Sequence, residues 1–385
     1  MINYGKQTIE DIDIDAVVKA LKSDFLTQGP KIDDFERRIA DYCDAEYAVA
    51  VSNGTAALHL ANIVAGTKKG DNVLTTPISF VATSNSIIYA GGSPRFCDIS
   101  EKTFTIDPSE IEKQFKKYKS VGIIPVHLGG VICDMEAINY FAKKNNLWVI
   151  EDACHAFGGT WVDKSGNKQK VGNCSYSDMT TFSFHPVKHM TTGEGGVITT
   201  NNKFIYEKLK ELRSHGISKK NNDTEDSQGL WYYEMHEIGF NYRITDFQAA
   251  LGIEQLKRSD EWIKLRYEMV IRYNKEFAEL KEVTPQYHPE SSGEYSFHLY
   301  IIQCKNRKSL YYYLKENGVN TQVHYIPIHL QPYYKNKYDY KIGDYSKAEN
   351  YYENALSLPL HPSLQEKEQR KVIDLVKNFY SNDIF

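Results

Sequence analysis

Residues 47–66 read YAVAVSNGTAALHLANIVAG, and this stretch decides the fold class. Val49 and Val51 belong to a short apolar run that predicts a buried β-strand, and residues 56–65 are mostly helix-forming. The polar turn at residues 52–55 separates the two runs. The stretch therefore predicts a strand, a tight turn and a helix in immediate succession.

The same order of elements recurs further along the chain. Apolar runs predict strands at residues 72–75, 120–130 and 147–158, and periodic runs predict helices at 108–118 and 134–144. Strands that alternate with helices at this spacing favour a mostly parallel sheet covered by helices on both faces. The fold class is therefore predicted to be α/β.

The pattern changes after residue 200. An exposed polar loop is predicted at 219–230, and a long helical stretch at about 245–280 is expected to link two domains. A smaller α+β domain follows, with a strand at 294–304, a helix at 309–318 and a strand at 319–330. We expect a large domain over residues 1–250, with an N-terminal arm at 1–30, and a small domain over residues 251–385.

Composition excludes several classes of protein. The 385 residues carry 46 Lys and Arg against 50 Asp and Glu, a formal charge of −4, which argues against a nucleic-acid binder. The acidic N-terminus MINYGKQTIEDIDID is unlike a secretory signal, and no run of about 18 apolar residues predicts a membrane-spanning helix. Six cysteines without a Cys-x-x-Cys pair favour reduced thiols and no metal site. A cytoplasmic protein is expected.

Three short stretches could carry chemistry. The turn at residues 52–56 opens a helix, whose free N–H groups can bind an anion, although ordinary helix capping explains it equally well. Asp152 ends a predicted strand, where it could pair with a cationic ring nitrogen or simply cap the next helix. Lys188 lies in TFSFHPVKHMTTGEGG (181–196), whose Thr/Gly-rich end predicts tight turns beside a bound group.

Lys188 is either a solvated charge or a lysine placed for covalent chemistry. A partly desolvated lysine near other cations has a lowered pKa and can form a Schiff base with a carbonyl. An anion site, a strand-end acid and such a lysine together fit pyridoxal phosphate, whose phosphate, ring nitrogen and aldehyde need these three partners. This cofactor is therefore predicted.

The sequence resembles the DegT/DnrJ/EryC1/StrS family of sugar aminotransferases, and within it the PseC branch. The resemblance implies the pyridoxal-phosphate-dependent transferase fold of type I, the aspartate-aminotransferase-like fold, with a mostly parallel sheet of seven strands. The matching motifs occur in family order: FLTQGP, SNGTAAL, TTPISFVAT, DISEKTFTID, EDACHAFG, FSFHPVKHMTTGEGG, LRSHGI, GFNYRITDFQAALG and QVHYIPIHLQPYY.

The resemblance also implies roles for individual residues. Lys188 binds the cofactor covalently, Asp152 pairs with its ring nitrogen, and His155 stands near its ring hydroxyl, where relatives often have Gln. The other cofactor contacts are implied to be Thr55, Ala56, Phe80, Ser183 and, from the neighbouring subunit of a homodimer, Asn241. The implied substrate contacts are Tyr4, Phe25, Leu26, Thr27, Arg243 for the donor carboxylate, Gln322, Val323, His324 and Tyr325.

The implied reaction moves the amino group of L-glutamate, which becomes 2-oxoglutarate, to a keto sugar. In the PseC branch the acceptor is C4 of UDP-2-acetamido-2,6-dideoxy-β-L-arabino-hex-4-ulose, on the route to pseudaminic acid. Lys188 is expected to carry protons in both half-reactions, and we hypothesise that His185 assists it.

Three other functions remain open at this point. The first is amino transfer to another nucleotide-linked keto sugar, GDP- or dTDP-linked and at C3 or C4. The second is a sugar dehydratase, but that branch of the family has His where this chain has Lys188. The third is a protein that binds the cofactor or a nucleotide sugar without catalysis.

Overall fold

Strands and helices alternate through residue 200 of the computed structural model, which describes residues 1–218, 229, 231–287 and 295–381. The strands in these residues are β1 (Tyr47–Val51), β2 (Asn72–Thr75), β3 (Ser93–Phe96), β4 (Gly122–Ile124), β5 (Trp148–Asp152), β6 (Thr160–Val162), β7 (Lys168–Lys170), β8 (Met179–Ser183), β9 (Gly196–Thr200), β10 (Ile217–Ser218), β11 (Glu234–Met235), β12 (Val283–Pro285), β13 (Tyr300–Cys304) and β14 (Ala355–Leu358).

The helices begin and end where the sequence supplies capping signals. Asn53, Asp107, Asp134, Asn202 and Thr245 each cap the helix that follows them. The α-helices are α1 (Asp11–Leu21), α2 (Pro30–Cys43), α3 (Gly54–Val64), α4 (Ala82–Tyr89), α5 (Pro108–Tyr118), α6 (Met135–Lys144), α7 (Lys203–Arg213), α8 (Asp246–Leu256), α9 (Ser259–Phe277), α10 (Arg307–Glu316), α11 (Pro332–Tyr338), α12 (Ser346–Asn354) and α13 (Glu366–Ser381).

The central sheet has seven strands in the order β1-β9-β8-β5-β4-β2-β3. Every pair is parallel except the two that involve β9, which runs antiparallel to both β1 and β8. The predicted mostly parallel sheet of an α/β fold is therefore confirmed.

Both faces of this sheet are buried. Along β1, Ala48 and Ala50 belong to one apolar cluster, whereas Val49 and Val51 belong to another. Because successive side chains of a strand point to opposite faces, the two clusters cover opposite sides of the sheet. This arrangement explains why the strands are almost continuously apolar.

The ends of the parallel strands place polar residues at one edge of the sheet. β5 ends at Asp152, β8 ends at Ser183, and the turn after β1 begins at Ser52. The carboxyl ends of parallel strands meet at the same edge, where ligands of α/β proteins bind. The stretches selected from the sequence are thus brought together by the topology of the sheet.

A second sheet, antiparallel and three-stranded, has the order β12-β13-β14 and lies in the C-terminal part of the chain. The N-terminus also reaches this part, because the Ile2 N–H donates to the Gly318 carbonyl and the Asn320 N–H to that of Ile2. A domain boundary at residue 250 would fall inside α8, and the division into two domains stays a prediction.

The predicted helical stretch at residues 245–280 is helical over most of its length, but it is divided into two helices, α8 and α9. The break lies at Lys257 and Arg258, and Arg258 has non-helical backbone angles. Its guanidinium binds the buried Asp13 carboxylate of α1 at 2.6 Å. This tertiary ion pair holds the break in place, and the periodicity of the sequence does not show it.

The predicted strand at residues 319–330 was wrong. Val319 and Gln322 make only isolated bridges, and Ile328–Leu330 forms a 3-10 turn. Pro327, which precedes that turn, cannot donate to a strand ladder. The predicted strand at 294–304 is shortened to β13, and the predicted polar loop at 219–230 lies outside the described residues except for Gly229.

Candidate active site

A cleft of about 940 Å³ lies at the carboxyl edge of the central sheet. It gathers residues that are far apart in the chain, from Tyr4 to Gln331. The predicted residues that line it are Tyr4, Thr55, Ala56, Phe80, Asp152, His155, Ser183, His185, Lys188, Gln322, Val323, His324 and Tyr325.

Asp152, at the end of β5, presents its carboxylate to this cleft. The carboxylate accepts a hydrogen bond from the Thr83 hydroxyl at 2.6 Å and another from the Cys154 N–H at 3.3 Å. The Ser79 hydroxyl lies 2.7 Å from that of Thr83 and holds it in place. Asp152 is buried, and it lines the cleft.

Glu151, the preceding residue, faces the opposite side of the sheet. Its carboxylate accepts hydrogen bonds from Ser177 and Thr180 and lies 2.8 Å from Nε2 of the buried His127. Burial alone would raise the pKa of Glu151, but the hydrogen bond from His127 and its charge lower it. Burial would lower the pKa of His127, but Cys133 and Glu151 raise it to about 10.

Lys188 lies in the loop at residues 184–195, between the antiparallel strands β8 and β9. Its backbone N–H donates to the His185 carbonyl at 2.9 Å. Burial lowers the pKa of the Lys188 ammonium, although Cys154 and Asp152 act in the opposite direction. A neutral amine on a half-buried lysine can accept a proton or attack a carbonyl.

The Thr/Gly-rich end of this loop closes the loop on itself. The Thr191 hydroxyl and the Thr192 N–H both donate to the Phe184 carbonyl at 3.0 Å, and Gly193 has a φ of +81°. The tight turns predicted from this run are present, and they fix the backbone on either side of Lys188. His185 lines the cleft but is exposed.

The N-terminus of α3 lies against Ser183 and is the candidate anion cradle of the cleft. A Cβ atom at Gly54 would lie 2.8 Å from Cβ of Ser183, so only glycine allows this close approach. The Asn53 side chain already accepts the Ala56 N–H at 2.8 Å, as ordinary capping predicts. The cradle therefore offers the helix terminus and the hydroxyls of Thr55 and Ser183, while the Ala56 N–H is shared with the cap.

Buried imidazoles form the wall of the cleft beside Lys188. The ring of His298 lies 4.5 Å from that of His155 and 5.6 Å from that of His189. Burial, followed by the positive charge of Lys188, lowers the pKa of His155 well below its usual range and that of His324 to about 3. These rings are therefore neutral at pH 7.

The predicted residues Phe25, Leu26, Thr27, Asn241 and Arg243 do not line the cleft of this single chain. Phe25 is 52% exposed and Leu26 48%, and both lie on the surface. Thr27 forms a bridge with Thr245, and Asn241 forms one with Ser214.

The sequence interpretation missed several residues of the cleft. Tyr242, between Asn241 and Arg243, lines it and lies 3.1 Å from Nδ1 of His59. Tyr242, Thr83 and Cys154 lie inside motifs that the sequence analysis singled out, so their motifs could have indicated them. His298 has no local signal, because its place depends on long-range packing.

No helix in the described part of the chain is long and apolar enough to cross a membrane. In the same residues, no group of three or more His, Cys, Asp or Glu side chains could hold a metal ion.

Comparison with known proteins gives the family. The model of the DegT/DnrJ/EryC1/StrS aminotransferase family matches residues 7–377. The chain is 39% identical to the spore coat polysaccharide biosynthesis protein SpsC of Bacillus subtilis, over 97% of this chain and 96% of that one. It is 38% identical to the UDP-4-amino-4,6-dideoxy-N-acetyl-beta-L-altrosamine transaminase of Campylobacter jejuni and 33% to the GDP-perosamine synthase of Caulobacter vibrioides, with the same shares covered.

Solved structures agree with this result. PseC of Helicobacter pylori, an aminotransferase of pseudaminic acid biosynthesis, has a TM-score of 0.88 and 29% identity, with 99% of each chain covered. The sugar aminotransferase Spr1654 of Streptococcus pneumoniae, in its pyridoxamine phosphate form, has a TM-score of 0.90 and 30% identity over 99% of this chain and 100% of that one.

The cofactor is pyridoxal phosphate, and the groups that line the cleft fit it. An amine (Lys188), a buried carboxylate (Asp152) and a helix N-terminus beside Gly54 match the needs of its aldehyde, ring nitrogen and phosphate. The protein is a pyridoxal-phosphate-dependent sugar aminotransferase of the type I fold. Fold, cleft and sequence agree that the chain belongs to the DegT/DnrJ/EryC1/StrS aminotransferase family.

Proposed function

We propose that this enzyme moves the amino group of L-glutamate to C4 of a UDP-linked 4-keto-6-deoxy-N-acetylhexosamine, namely UDP-2-acetamido-2,6-dideoxy-β-L-arabino-hex-4-ulose, in pseudaminic acid biosynthesis. The observation that carries the proposal is that Lys188 and Asp152 meet in one cleft beside an anion cradle. The choice of sugar is supported by the 38% identity to the Campylobacter transaminase, which covers 97% of this chain.

Lys188 is proposed to bind the cofactor and to move the proton. When bound, pyridoxal phosphate supplies an electron-withdrawing ring that takes up the electron pair released at the substrate carbon. Because the pKa of Lys188 is lowered, a larger fraction of the protein carries this amine in its neutral form. A neutral Nζ can accept the proton from Cα of the amino donor and later release it. The hydrogen bonds of the loop at residues 184–195 order the backbone beside Lys188, which supports one position of this residue for both half-reactions.

Asp152 is proposed to keep the ring nitrogen of the cofactor protonated. Its carboxylate is oriented by the hydrogen bonds from Thr83 and from the Cys154 N–H. A charged hydrogen bond in a buried site is strong, so the pair would both place the ring and increase its electron demand. Phe80, 58% exposed at the cleft, is proposed to stack on the ring.

The anion cradle is proposed to hold the cofactor phosphate through Thr55, Ala56 and Ser183. His155, which also lines the cleft, is proposed to lie near the ring hydroxyl of the cofactor. We place Tyr4, Gln322, Val323, His324 and Tyr325 at the nucleotide sugar. The five predicted residues that do not line the cleft of this chain are proposed to act at the cleft of a second copy, namely Phe25, Leu26, Thr27, Asn241 and Arg243. A homodimer is therefore part of the proposal, as is a cytoplasmic location.

A second candidate is a GDP-linked 4-keto sugar. The identity of 33% to GDP-perosamine synthase, over 97% of this chain, favours a GDP-linked sugar over a dTDP-linked one. The UDP- and GDP-linked candidates differ in the base of the nucleotide and in the N-acetyl group. We expect the segment at residues 322–326, which lines the cleft, to contact the nucleotide sugar and to distinguish the two candidates.

One experiment tests both the covalent role of Lys188 and the choice of sugar. The purified protein, saturated with pyridoxal phosphate, is followed by its visible absorbance before and after addition of L-glutamate. We expect a visible band that depends on Lys188 and is bleached by glutamate. UDP- and GDP-linked 4-keto sugars are then added separately, and the products are identified by mass spectrometry. Return of the band with the UDP-linked sugar alone supports the proposal, and its return with the GDP-linked sugar alone refutes the choice of sugar.

A further inference from the structure

The motif LRSHGI (212–217) has no role in the proposed function, yet it packs closely on the motif GFNYR (239–243), which carries Asn241. Ser214 forms an antiparallel bridge with Asn241. A Cβ atom at Gly239 would lie 2.1 Å from the Gly216 nitrogen, so a side chain at this position would collide with the backbone of the other motif. The two motifs therefore form one structural unit.

The backbone on both sides of Asn241 is fixed by this packing. The Phe240 N–H donates to the Leu212 carbonyl at 2.7 Å, and the Tyr242 N–H donates to the Arg213 carbonyl at 3.0 Å. Asn241 itself is exposed, and its side chain makes no hydrogen bond to the described residues. Its amide is thus carried on an ordered backbone and is free to bind a group outside this chain.

The same segment is joined to the anion cradle. The Tyr242 carbonyl accepts the Ser52 N–H at 2.8 Å, and Ser52 begins the turn that leads into α3 at Gly54. Tyr242 therefore bonds to the cradle of this chain through its carbonyl, while its neighbour Asn241 is the residue proposed to act in the cleft of a second copy.

Arg213 joins this segment to the edge of the central sheet. β1 is the first strand in the order of that sheet, so its outer edge has no neighbour among the described strands. The buried Arg213 guanidinium donates to the Ala50 carbonyl at 2.7 Å and binds the buried Glu36 carboxylate, which accepts the Ala50 N–H at 2.8 Å. The ion pair thus satisfies both backbone groups that Ala50 presents at the edge.

Arg213 therefore holds two segments with two different groups. Its side chain binds β1, and its carbonyl binds the Tyr242 N–H beside Asn241. Loss of the guanidinium would leave Glu36 buried without its cation and the Ala50 carbonyl without this donor. The segment that carries Asn241 would then lose an attachment to the sheet.

We propose that Arg213 is a positioning residue for the cleft of the partner subunit. It places the Asn241 amide where the phosphate of a cofactor bound by a second copy can accept a hydrogen bond. This inference rests on the proposed function, in which Asn241 acts at the cleft of a second copy. It adds that the Glu36–Arg213 pair of one subunit sets the cofactor affinity of the other.

The test uses mixed dimers in which only one cleft can form the visible band. The lending chain carries Lys188→Ala and supplies Asn241, and the binding chain keeps Lys188. The two chains are co-expressed with different affinity tags, and pyridoxal phosphate is titrated while the band of the binding chain is followed. Asn241→Ala in the lending chain should raise the dissociation constant about 10-fold, because a hydrogen bond to a charged phosphate is lost.

Arg213→Met in the lending chain should raise the same dissociation constant about 5-fold, although the substitution lies in the other subunit. Combined with Asn241→Ala in that chain, it should add no further rise, because Arg213 acts through this amide. Arg213→Lys should restore most of the affinity, since an ammonium can also donate to Glu36 and Ala50.

A second variant covers the case in which Arg213→Met does not fold. Glu36→Met/Arg213→Met removes both charges, so no unpaired charge stays buried, and it should weaken binding to the same extent. Arg272→Met in the lending chain is the matched control. It removes an arginine of α9 that bonds to Gln369, and the dissociation constant should stay unchanged.

Each outcome separates this inference from the proposed function. If Asn241→Ala in the lending chain weakens binding but neither Arg213→Met nor the double variant does, the inference is overturned. Additive effects of Arg213→Met and Asn241→Ala would also overturn it, because they would show a route that bypasses the amide. If Asn241→Ala changes nothing, or no mixed dimer forms, the shared cleft of the proposed function fails, and this inference with it.

Discussion

Two neighbouring acids at the end of β5 have opposite surroundings. Glu151 is satisfied within the protein by His127, Ser177 and Thr180. Asp152 receives hydrogen bonds from Thr83 and Cys154, and its remaining side faces a cleft of about 940 Å³. One residue of spacing on a strand moves a carboxylate from one face of the sheet to the other.

The difference shows how stability and chemistry are separated on one strand. A buried charge that is fully paired contributes to a stable, well-defined core, provided its partner is retained. A buried charge with a free side is a place where a ligand of opposite charge can bind. Changes on the Glu151 side should therefore alter folding, and changes on the Asp152 side should alter activity.

The largest effect is expected from Lys188→Ala. Loss of the only amine proposed for covalent binding and proton transfer should lower kcat/KM by about 10⁴-fold and abolish the visible band. Amino transfer from L-glutamate and the absorbance spectrum check this result. Lys168→Ala, an exposed lysine of β7, is the control and should change neither. A retained band in Lys188→Ala would contradict the covalent role.

On the other face, Glu151→Gln should lower the free energy of unfolding by about 3 kcal/mol, because an amide replaces the buried carboxylate that accepts hydrogen bonds from His127, Ser177 and Thr180. Urea denaturation of the apoprotein measures this value. The smaller change Ser177→Ala removes one neutral donor to the same carboxylate and should lower it by about 1 kcal/mol. Equal effects of the two variants would show that the charge of Glu151 adds nothing to stability.

Asp152→Asn should have the opposite profile, with an unchanged free energy of unfolding and a kcat/KM about 10²-fold lower. An amide cannot supply the negative charge proposed to keep the ring nitrogen protonated, and a charged hydrogen bond of this kind contributes about 2–3 kcal/mol. Steady-state kinetics and urea denaturation on the same sample decide between the two effects. A large loss of stability with normal kinetics would reverse the roles assigned to the two acids.

The two faces should also differ in how they respond to pH. The folded-state pKa of Glu151 is lowered, so its contribution to stability is present above its unfolded pKa of about 4.3 and is lost as the pH falls below that value. The stability difference between wild type and Glu151→Gln should therefore shrink as the pH is lowered from about 6 to about 3. A constant difference over that range would show that the charge of Glu151 does not stabilise the fold.

The smallest predicted effect concerns Lys188→Met in the apoprotein, which should raise the free energy of unfolding by about 1 kcal/mol. Burial lowers the pKa of Lys188, so its charged form is less stable in the folded chain than in water. Thermal unfolding without cofactor, compared with Lys168→Met, measures the gain. A loss of stability would show that Lys188 contributes to the fold of the cleft.

Much of the fold and site follows from local patterns. Alternating apolar runs and helix caps predict the parallel sheet, and its topology brings Lys188, Asp152 and the turn at 52–56 together. The face that each acid occupies, the break at Arg258 and the contact of Tyr325 with His155 depend on packing between distant segments. A single chain does not show how Phe25 and Asn241 could reach a cleft. Phe25 is exposed on the surface, and Asn241 forms a bridge with Ser214.

Because β9 runs antiparallel to its neighbours, the loop that carries Lys188 loses its conformational freedom during folding rather than during catalysis. Parallel neighbours need a long crossover, whereas the antiparallel pairing of β8 with β9 lets residues 184–195 close as a hairpin. Short loops between paired strands form early and lose their conformational freedom as the chain folds. The backbone around Lys188 is therefore already ordered before any substrate arrives, so catalytic turnover need not order it again.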